Sequence, residues 1–337
     1  MRQLHKNNHY VPQLYLRGWA SENRIPTYSL LVEDPRVPLW TLRSLKSVAY
    51  RPNLYTRSVD GVQDDALERW LDREFEAPAV AAFKRAIADQ RLAPDDWRKL
   101  VRFAFAQDVR TPARLRQFHK RQAASMPALL ETSLSSALAK LSAGTLPPLA
   151  RHREPGRGLP LRLTVDAAED DASNVGVEAL VGRSMWQWTI DHLLTKTIEK
   201  ISMKGWTILK PASGFLWPTS DNPVVRLNYF GDYRYDFDGG WEVQNGDVIF
   251  PLSPDHLMFR CLGSRPRSRG SRVDVETTRK IQRIIIENAD RFVFSKSPFR
   301  CEDIRQRVVN GAAFRDEKAF WERWDAEQID AERGYSS

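Results

Sequence analysis

Residues 204–230 read KGWTILKPASGFLWPTSDNPVVRLNYF, and this stretch decides the fold class. Trp206-Thr207-Ile208-Leu209, Phe215-Leu216-Trp217 and the run 224–227 are short apolar, β-rich pieces. Gly, Pro and Asp turn residues separate them, which is the pattern of strands. Val248-Ile249-Phe250 and Leu257-Met258-Phe259 continue it, followed by a helix at about 275–289 and a strand at 291–294. On the N-terminal side of Lys204 the period changes. Leu67, Leu71, Phe75 and Ala82 recur at helical spacing across 64–89, and Asp64-Asp65 suits the positive end of a helix dipole. Pro78 should kink that helix. Pro94-Asp95-Asp96 opens a second helix with Trp97, Leu100, Val101, Ala104 and Phe105 on one stripe, interrupted at Pro112 and resuming to Arg121. Helices at 126–141 and 175–203 follow, while the first sixty residues read as irregular or short strands. Helices first and strands later, without βαβ alternation, predict an α+β fold: a mainly helical N-terminal half packed on a mainly antiparallel β half.

Gly144, Pro147, Pro148, Pro155, Gly156, Gly158 and Pro160 break the pattern between the halves. The expected organisation is an N-terminal arm and helical region (1–142), a Gly/Pro-rich loop or insert (143–174), a helix plus antiparallel sheet (175–313), and a charged C-terminal helix (314–337).

Of the 337 residues, 42% are hydrophobic and 28% charged, ordinary globular values, and eleven Trp with fifteen Phe supply an aromatic-rich core. The net charge of +8 favours an anionic partner, nucleic acid or nucleotide, although a soluble protein that happens to be basic would look the same. Two cysteines without a CxxC exclude a cysteine-built zinc site. The polar start lacks a signal peptide's apolar run, and nothing approaches the roughly 18 apolar residues of a membrane span, so a cytoplasmic location is expected.

Several motifs stand out in order: His9-Tyr10-Val11-Pro12-Gln13-Leu14-Tyr15-Leu16, Asn53-Leu54-Tyr55, Phe75-Glu76, and Gln107 with Arg110-Thr111-Pro112. Thr219-Ser220-Asp221-Asn222-Pro223, Phe250-Pro251-Leu252-Ser253-Pro254, and Ala289-Asp290-Arg291 with Ser295 follow them. Together they resemble a widespread bacterial family of unknown function, number forty-two thirty-eight, over roughly residues 7–296. Trp19 stands where that family usually has Phe, and the Gly/Pro-rich insert and Trp-rich tail lie outside the pattern. The resemblance implies a shared fold and site but names no chemistry.

His9, among Asn8, Tyr10 and Gln13, can serve as acid or base near neutral pH, or simply pin the arm through a backbone carbonyl. His5 and His9 have metal-ligand spacing if helical, but Pro12 argues against a helix there and no third ligand is evident. Glu76 shares a second apolar stripe with Val80, Phe83 and Ile87, so it should be partly buried and paired, with Arg110 as the natural partner. Alternatively Arg110 and Gln107 face a cavity that takes a phosphate or carboxylate. Ser220-Asp221-Asn222-Pro223 is a tight turn, or else it places Asp221 where it orients the His9 imidazole. No nucleophile elbow surrounds Ser220.

Arg265, Arg267, Arg269 and Arg272 with nearby Tyr229, Phe230, Tyr233, Tyr235 and Phe237 suit nucleic-acid contact or a solvated loop. The candidate catalytic set is therefore His9, Glu76, Arg110 and Asp221. Asn8, Gln13, Tyr55, Gln107, Ser220 and Asn222 are the candidate ligand-binding residues. No metal site or cofactor is evident, Mg²⁺ being the one a hydrolytic mechanism would admit. Two readings stay open: a phosphodiester- or nucleotide-directed hydrolase, such as a nuclease-like toxin or defence effector, and a non-catalytic ligand- or nucleic-acid-binding module with a buried polar network.

Overall fold

The structure is a computed structural model describing residues 7–59, 62–143, 161–166, 174–230 and 234–336. The chain opens with β1 (Asn7–His9) and one helical turn, α1 (Gln13–Leu16), then β2 (Arg24–Ser29), β3 (Leu31–Val32), β4 (Trp40–Ser44) and β5 (Tyr50–Pro52). A small hairpin, β6 (Arg57–Val59) and β7 (Val62–Asp64), leads into the helical region. That region comprises α2 (Ala66–Leu71), a π-helical turn (Asp72–Glu76), α3 (Ala77–Ile87), α4 (Pro94–Val109) and α5 (Pro112–Ser142). The hairpin β8 (Leu161–Asp166) and β9 (Asn174–Ala179) precedes α6 (Arg183–His192) and a second π-helical turn (Leu193–Thr197). Then come β10 (Thr207–Leu209), β11 (Thr219–Ser220), β12 (Val225–Tyr229), β13 (Tyr235–Asp236), β14 (Asp247–Ser253) and β15 (His256–Cys261). The C-terminal elements are α7 (Val275–Asn288), β16 (Phe292–Phe294), β17 (Val308–Val309) and α8 (Gly311–Ser336).

The fold is α+β. A five-stranded antiparallel sheet runs β10-β15-β14-β12-β13, and a four-stranded antiparallel sheet runs β11-β16-β2-β4. In the second sheet the N-terminal strand β2 pairs directly with β16. β2 and β4, and β3 through its parallel pairing with β17, are thereby built into the C-terminal half, while β1 and β5 pair with each other. The main core is aromatic. Tyr15 stacks on Phe250 at 5.1 Å, Phe83 meets Phe103 edge-on at 4.9 Å, and Trp19 Nε1 donates to the Trp217 carbonyl at 2.7 Å.

Local chemistry explains where the helices begin and end. Asp64 Oδ1 accepts the Ala66 N–H at 2.9 Å, capping α2. Pro78 does not break the helix: it falls in the first turn of α3, directly after the π-helical turn, where a missing N–H costs least. Asp96 accepts the Ala93 N–H at 2.9 Å and pairs with Arg85, fixing the start of α4 against the end of α3. α4 ends at Arg110, and Thr111 Oγ1 accepts the Arg114 N–H at 3.3 Å to cap α5, whose first residue is Pro112. The two helices expected at 94–121 and 126–141 are thus divided differently, at Arg110-Thr111, with α5 running through Pro127.

The helix expected at 175–203 is a correction. β9 occupies 174–179 and pairs with β8 inside the presumed insert, and the helix starts only at Arg183. In sequence Val175 and Val177 alternate about Gly176, a β pattern that the apolar anchors further along obscured. The rest of the 143–174 reading, residues 144–160 and 167–173, lies outside the described residues.

Candidate functional site

The opening motif enters the fold as a strand. β1 lies antiparallel to β5 with Asn8 opposite Arg51 and His9 opposite Tyr50. Asn8 is buried, and its Oδ1 accepts the Tyr55 N–H at 3.0 Å. The Tyr55 hydroxyl donates to the Arg110 carbonyl at 2.5 Å, closing the end of α4, and Gln187 Nε2 donates to the Tyr55 carbonyl at 2.7 Å. Gln107 Nε2 donates to the Tyr10 carbonyl at 2.6 Å, while its Oε1 accepts from Arg110 at 3.1 Å. The arm is therefore bonded to α4, to β5 and to Tyr55, which α6 holds in turn. His9 is partly buried, with Nε2 at 3.3 Å from Gln13 Nε2 and its ring 5.7 Å from that of Tyr50. Burial holds the imidazole below its ordinary pKa, against the upward pull of nearby backbone groups and Glu76, so it is neutral at pH 7.

Arg110 is the centre of the helical side. It is 1% exposed and donates to Glu76 Oε1 at 2.6 Å, the pairing read from the sequence. Its Nε has no hydrogen-bond partner. Near it lies a residue that the sequence reading missed. Glu68 has a buried Oε2 without a partner, and burial pushes its carboxyl up to about 7, with Glu76 and Asp72 adding to the shift and Arg110 opposing it. Glu68 sits on α2 beside the Leu67 and Leu71 positions that drew attention as apolar anchors.

The second motif cluster does a different job. Thr111 Oγ1 donates to Asn222 Oδ1 at 3.2 Å, joining the α4–α5 junction to the turn after β11. Asn222 and Asn288 exchange bonds with each other's carbonyls at 3.0 and 2.8 Å, and Ser220 Oγ accepts the Asn222 N–H at 3.2 Å. Asp221 is buried, and its two oxygens accept the N–H groups of Asp290 and Arg291 at 2.9 and 2.8 Å. Burial and the adjacent Asp290 carboxylate push it up to about 7 while these donors pull it down. The structure thus brings His9, Glu76 and Arg110 into one electrostatic neighbourhood. It turns Asp221 toward the backbone ahead of β16 instead of the imidazole.

Those backbone contacts present an open cleft. Arg51 on β5, opposite Asn8, and Arg291, whose N–H is held by Asp221, both line a cavity of about 490 Å³ closed on one side by α8. Glu317 of α8 lies between them, accepting from Arg51 at 3.2 Å and from Arg291 Nε at 2.5 Å. Arg43 on β4 completes the wall. Its Nε donates to Thr41 Oγ1 at 3.1 Å, its NH2 to Ser29 Oγ at 3.3 Å, and its guanidinium lies 5.4 Å over the Phe292 ring. Burial alone lowers the Arg43 pKa. Arg51 lies 4.9 Å over Trp321, so aromatic faces flank the cations. Arg291 also holds Asp290, its carbonyl at 3.0 Å and its carboxylate at 3.4 Å, whereas Arg43 has no carboxylate partner among the described residues. Glu33 is engaged by Arg315 at 2.8 Å and Glu322 is exposed beside Lys318.

The sequence profile described as "Protein of unknown function (DUF4238)" matches residues 7–299. The chain belongs to this family. No curated protein and no solved structure matches it. The family region contains every motif described above and ends before α8, so Glu317 and the far wall of the cleft lie outside it.

The remaining sequence candidates fall elsewhere. Arg265 and Arg267 lie exposed on a loop, Arg269 is half-buried there, and Arg272 donates to the Pro211 carbonyl at 2.6 Å. Tyr229 and Tyr235 donate to Asp247 and Glu287 at 2.5 and 2.6 Å and pack with Phe237 on the second core cluster. Phe230 is exposed, and Tyr233 and His5 lie outside the described residues. Among the described residues no group of three or more His, Cys, Asp or Glu is arranged to hold a metal ion, and no helix is long and apolar enough to cross a membrane.

Proposed function

We propose that this protein is a binding module for phosphate-bearing ligands, nucleotides or nucleic acid, received in the cleft between β4, β5, β16 and α8. The single observation that carries this reading is Arg43: it lines the cleft with only hydroxyl hydrogen-bond partners, beside Arg51 and Arg291, which are paired with Glu317 and, for Arg291, with Asp290 as well. A guanidinium forked toward an open cavity matches a phosphate's geometry better than a solvated lysine does. The family motifs then act as the support. Asn8 fixes the turn after β5, and Asp221 fixes the backbone that carries Arg291. The formal charge of +8 suits the same partner class, and two free thiols, Cys261 and Cys301, suit a reducing bacterial cytoplasm.

The test is binding of a short single-stranded oligonucleotide with and without a 5′-phosphate. The phosphorylated form is expected to bind more tightly, with affinity falling as salt rises. Arg43→Ala is expected to weaken it about tenfold or more, the scale of one lost charged hydrogen-bonding group. Equal affinity for both oligonucleotides, unchanged in Arg43→Ala, would contradict the reading.

A second reading, phosphodiester hydrolysis, draws on Glu68 and Glu76 beside Arg110 and the neutral His9. Glu68, its carboxyl pushed up to about 7 by burial, has the raised proton affinity that a general acid uses, and Glu76 holds Arg110 beside it. In that mechanism His9 is the base, Glu68 the acid and Arg110 the phosphate clamp. Incubation with RNA and DNA, with and without Mg²⁺, checks it, and identical outcomes for wild type and His9→Ala would rule it out.

A further inference from the structure

A second cavity, of about 410 Å³, lies between α4, α5, α6 with its π-helical turn, and the five-stranded sheet. Its floor is Asp108, a fully buried carboxylate that accepts from Trp241 Nε1 at 2.8 Å and from Arg114 Nε at 2.8 Å. Arg226 Nε lies 3.2 Å from Asp108 Oδ2, the oxygen that Trp241 also bonds. Two guanidinium groups thus meet one carboxylate, and burial together with the neighbouring Arg114 and Arg121 charges pushes Arg226 down to about 10. Arg121 and Lys200 add two exposed cations at the mouth. The other lining carboxylate, Glu242, is already taken by Arg260 at 2.8 and 3.2 Å and by the Ser202 N–H. A positive excess therefore faces the cavity.

The walls are aromatic: Trp186, Trp241, Phe105 and Phe118. Among them Gln122 Oε1 is buried without a hydrogen-bond partner, an acceptor with nothing to accept. The π-helical turn at Leu193–Thr197 borders the space, and such turns are frequent at functional sites. Flat rings, cations at one end and an unfilled acceptor define a planar heterocycle carrying a phosphate. The volume sits near the small end of ligand pockets, enough for one nucleotide.

We infer that this cavity binds a nucleoside monophosphate, its phosphate on Arg226 and Arg121 and its base against the Trp186 and Trp241 walls with Gln122 accepting from a base N–H. The site shares no residue with the Glu317 cleft and stands or falls independently of it.

The experiment titrates the full chain with each of the four ribonucleoside monophosphates, the matching nucleosides and inorganic phosphate, by calorimetry. At least one monophosphate is expected to bind, with its nucleoside and free phosphate each weaker by about tenfold or more. Arg121→Glu, at the exposed mouth, is expected to weaken that binding about tenfold or more without changing the melting temperature, and Gln122→Leu to alter the preference among bases. The titration is repeated in an Arg43→Ala background, where a nucleotide held in the cleft would bind about tenfold more weakly or worse, so that the binding remaining there belongs to this cavity. Absence of binding by all four at about 1 mM, equal binding of nucleoside and monophosphate, or full affinity in Arg121→Glu would overturn the inference.

Discussion

Arg110 and Arg43 are both arginines with limited access to water, yet their surroundings are opposite. Arg110 is enclosed by helices and bonded to Glu76 and Gln107, with Glu68 in its field. Arg43 lines a cleft, bonds only the hydroxyls of Thr41 and Ser29, and has as neighbours Arg51 and Arg291, whose carboxylate partners are Glu317 and, for Arg291, also Asp290. A cation matched inside the fold is part of the scaffold, because its charge has already been answered. A cation left over at an open wall is available to something from outside. Under the proposed function, motif residues and binding residues need not coincide: the motifs build the support, and Arg43 is left for the ligand.

The largest expected effect sharpens the scaffold side. Glu76→Ala leaves Arg110 buried without its ion-pair partner and should cost about 3–5 kcal/mol, measured by urea or thermal unfolding. A loss below about 1 kcal/mol would break the comparison at its first limb.

Glu68→Gln tests the same side through pH. The folded-state pKa of Glu68 is raised to about 7, so between its ordinary value and about pH 7 the folded chain binds more protons than the unfolded one. Its stability contribution is present at low pH and is lost as pH rises through that window. Glu68→Gln should then raise the melting temperature at pH 8, by an amount on the order of 2–3 kcal/mol in stability, and change it little at pH 5. An equal effect at both pH values would mean the carboxyl does not titrate there.

Asp221→Asn replaces an acceptor with a donor against one of two backbone N–H groups, so a loss of about 2 kcal/mol is expected. Because Asp221 also holds the Arg291 backbone, phosphate-ligand affinity should fall with it. Unchanged affinity in a folded Asp221→Asn would separate the motif from the cleft. The smallest stability effect is expected at Arg43→Ala, within about 0.5 kcal/mol.

Much of the scaffold was legible in the sequence. The motif order placed the family region, helical stripes placed α3 and α4, and the apolar position of Glu76 pointed to Arg110. The β9 strand was not legible, because Val175 and Val177 run without a proline into a helix whose apolar anchors dominate the window. The cleft was hidden for a topological reason. Arg43, Arg51, Arg291 and Glu317 lie on four separate segments, brought together by the β2–β4 and β16–β2 pairings and by the bonds of Glu317 to Arg51 and Arg291. Glu68 was masked by its neighbours: Leu67 and Leu71 explain α2 as a packing helix, and nothing in the spacing says that the carboxylate beside them approaches Arg110.

The most direct test of the central claim sets Glu76→Ala and Arg43→Ala side by side, measuring for each the melting temperature and the affinity for a 5′-phosphorylated oligonucleotide. The expected result is a crossed pattern: Glu76→Ala loses stability, and its folded fraction keeps near-normal affinity, whereas Arg43→Ala keeps stability and binds about tenfold more weakly or worse. If Arg43→Ala binds as tightly as wild type, or loses as much stability as Glu76→Ala, the division between scaffold and binding arginines is wrong.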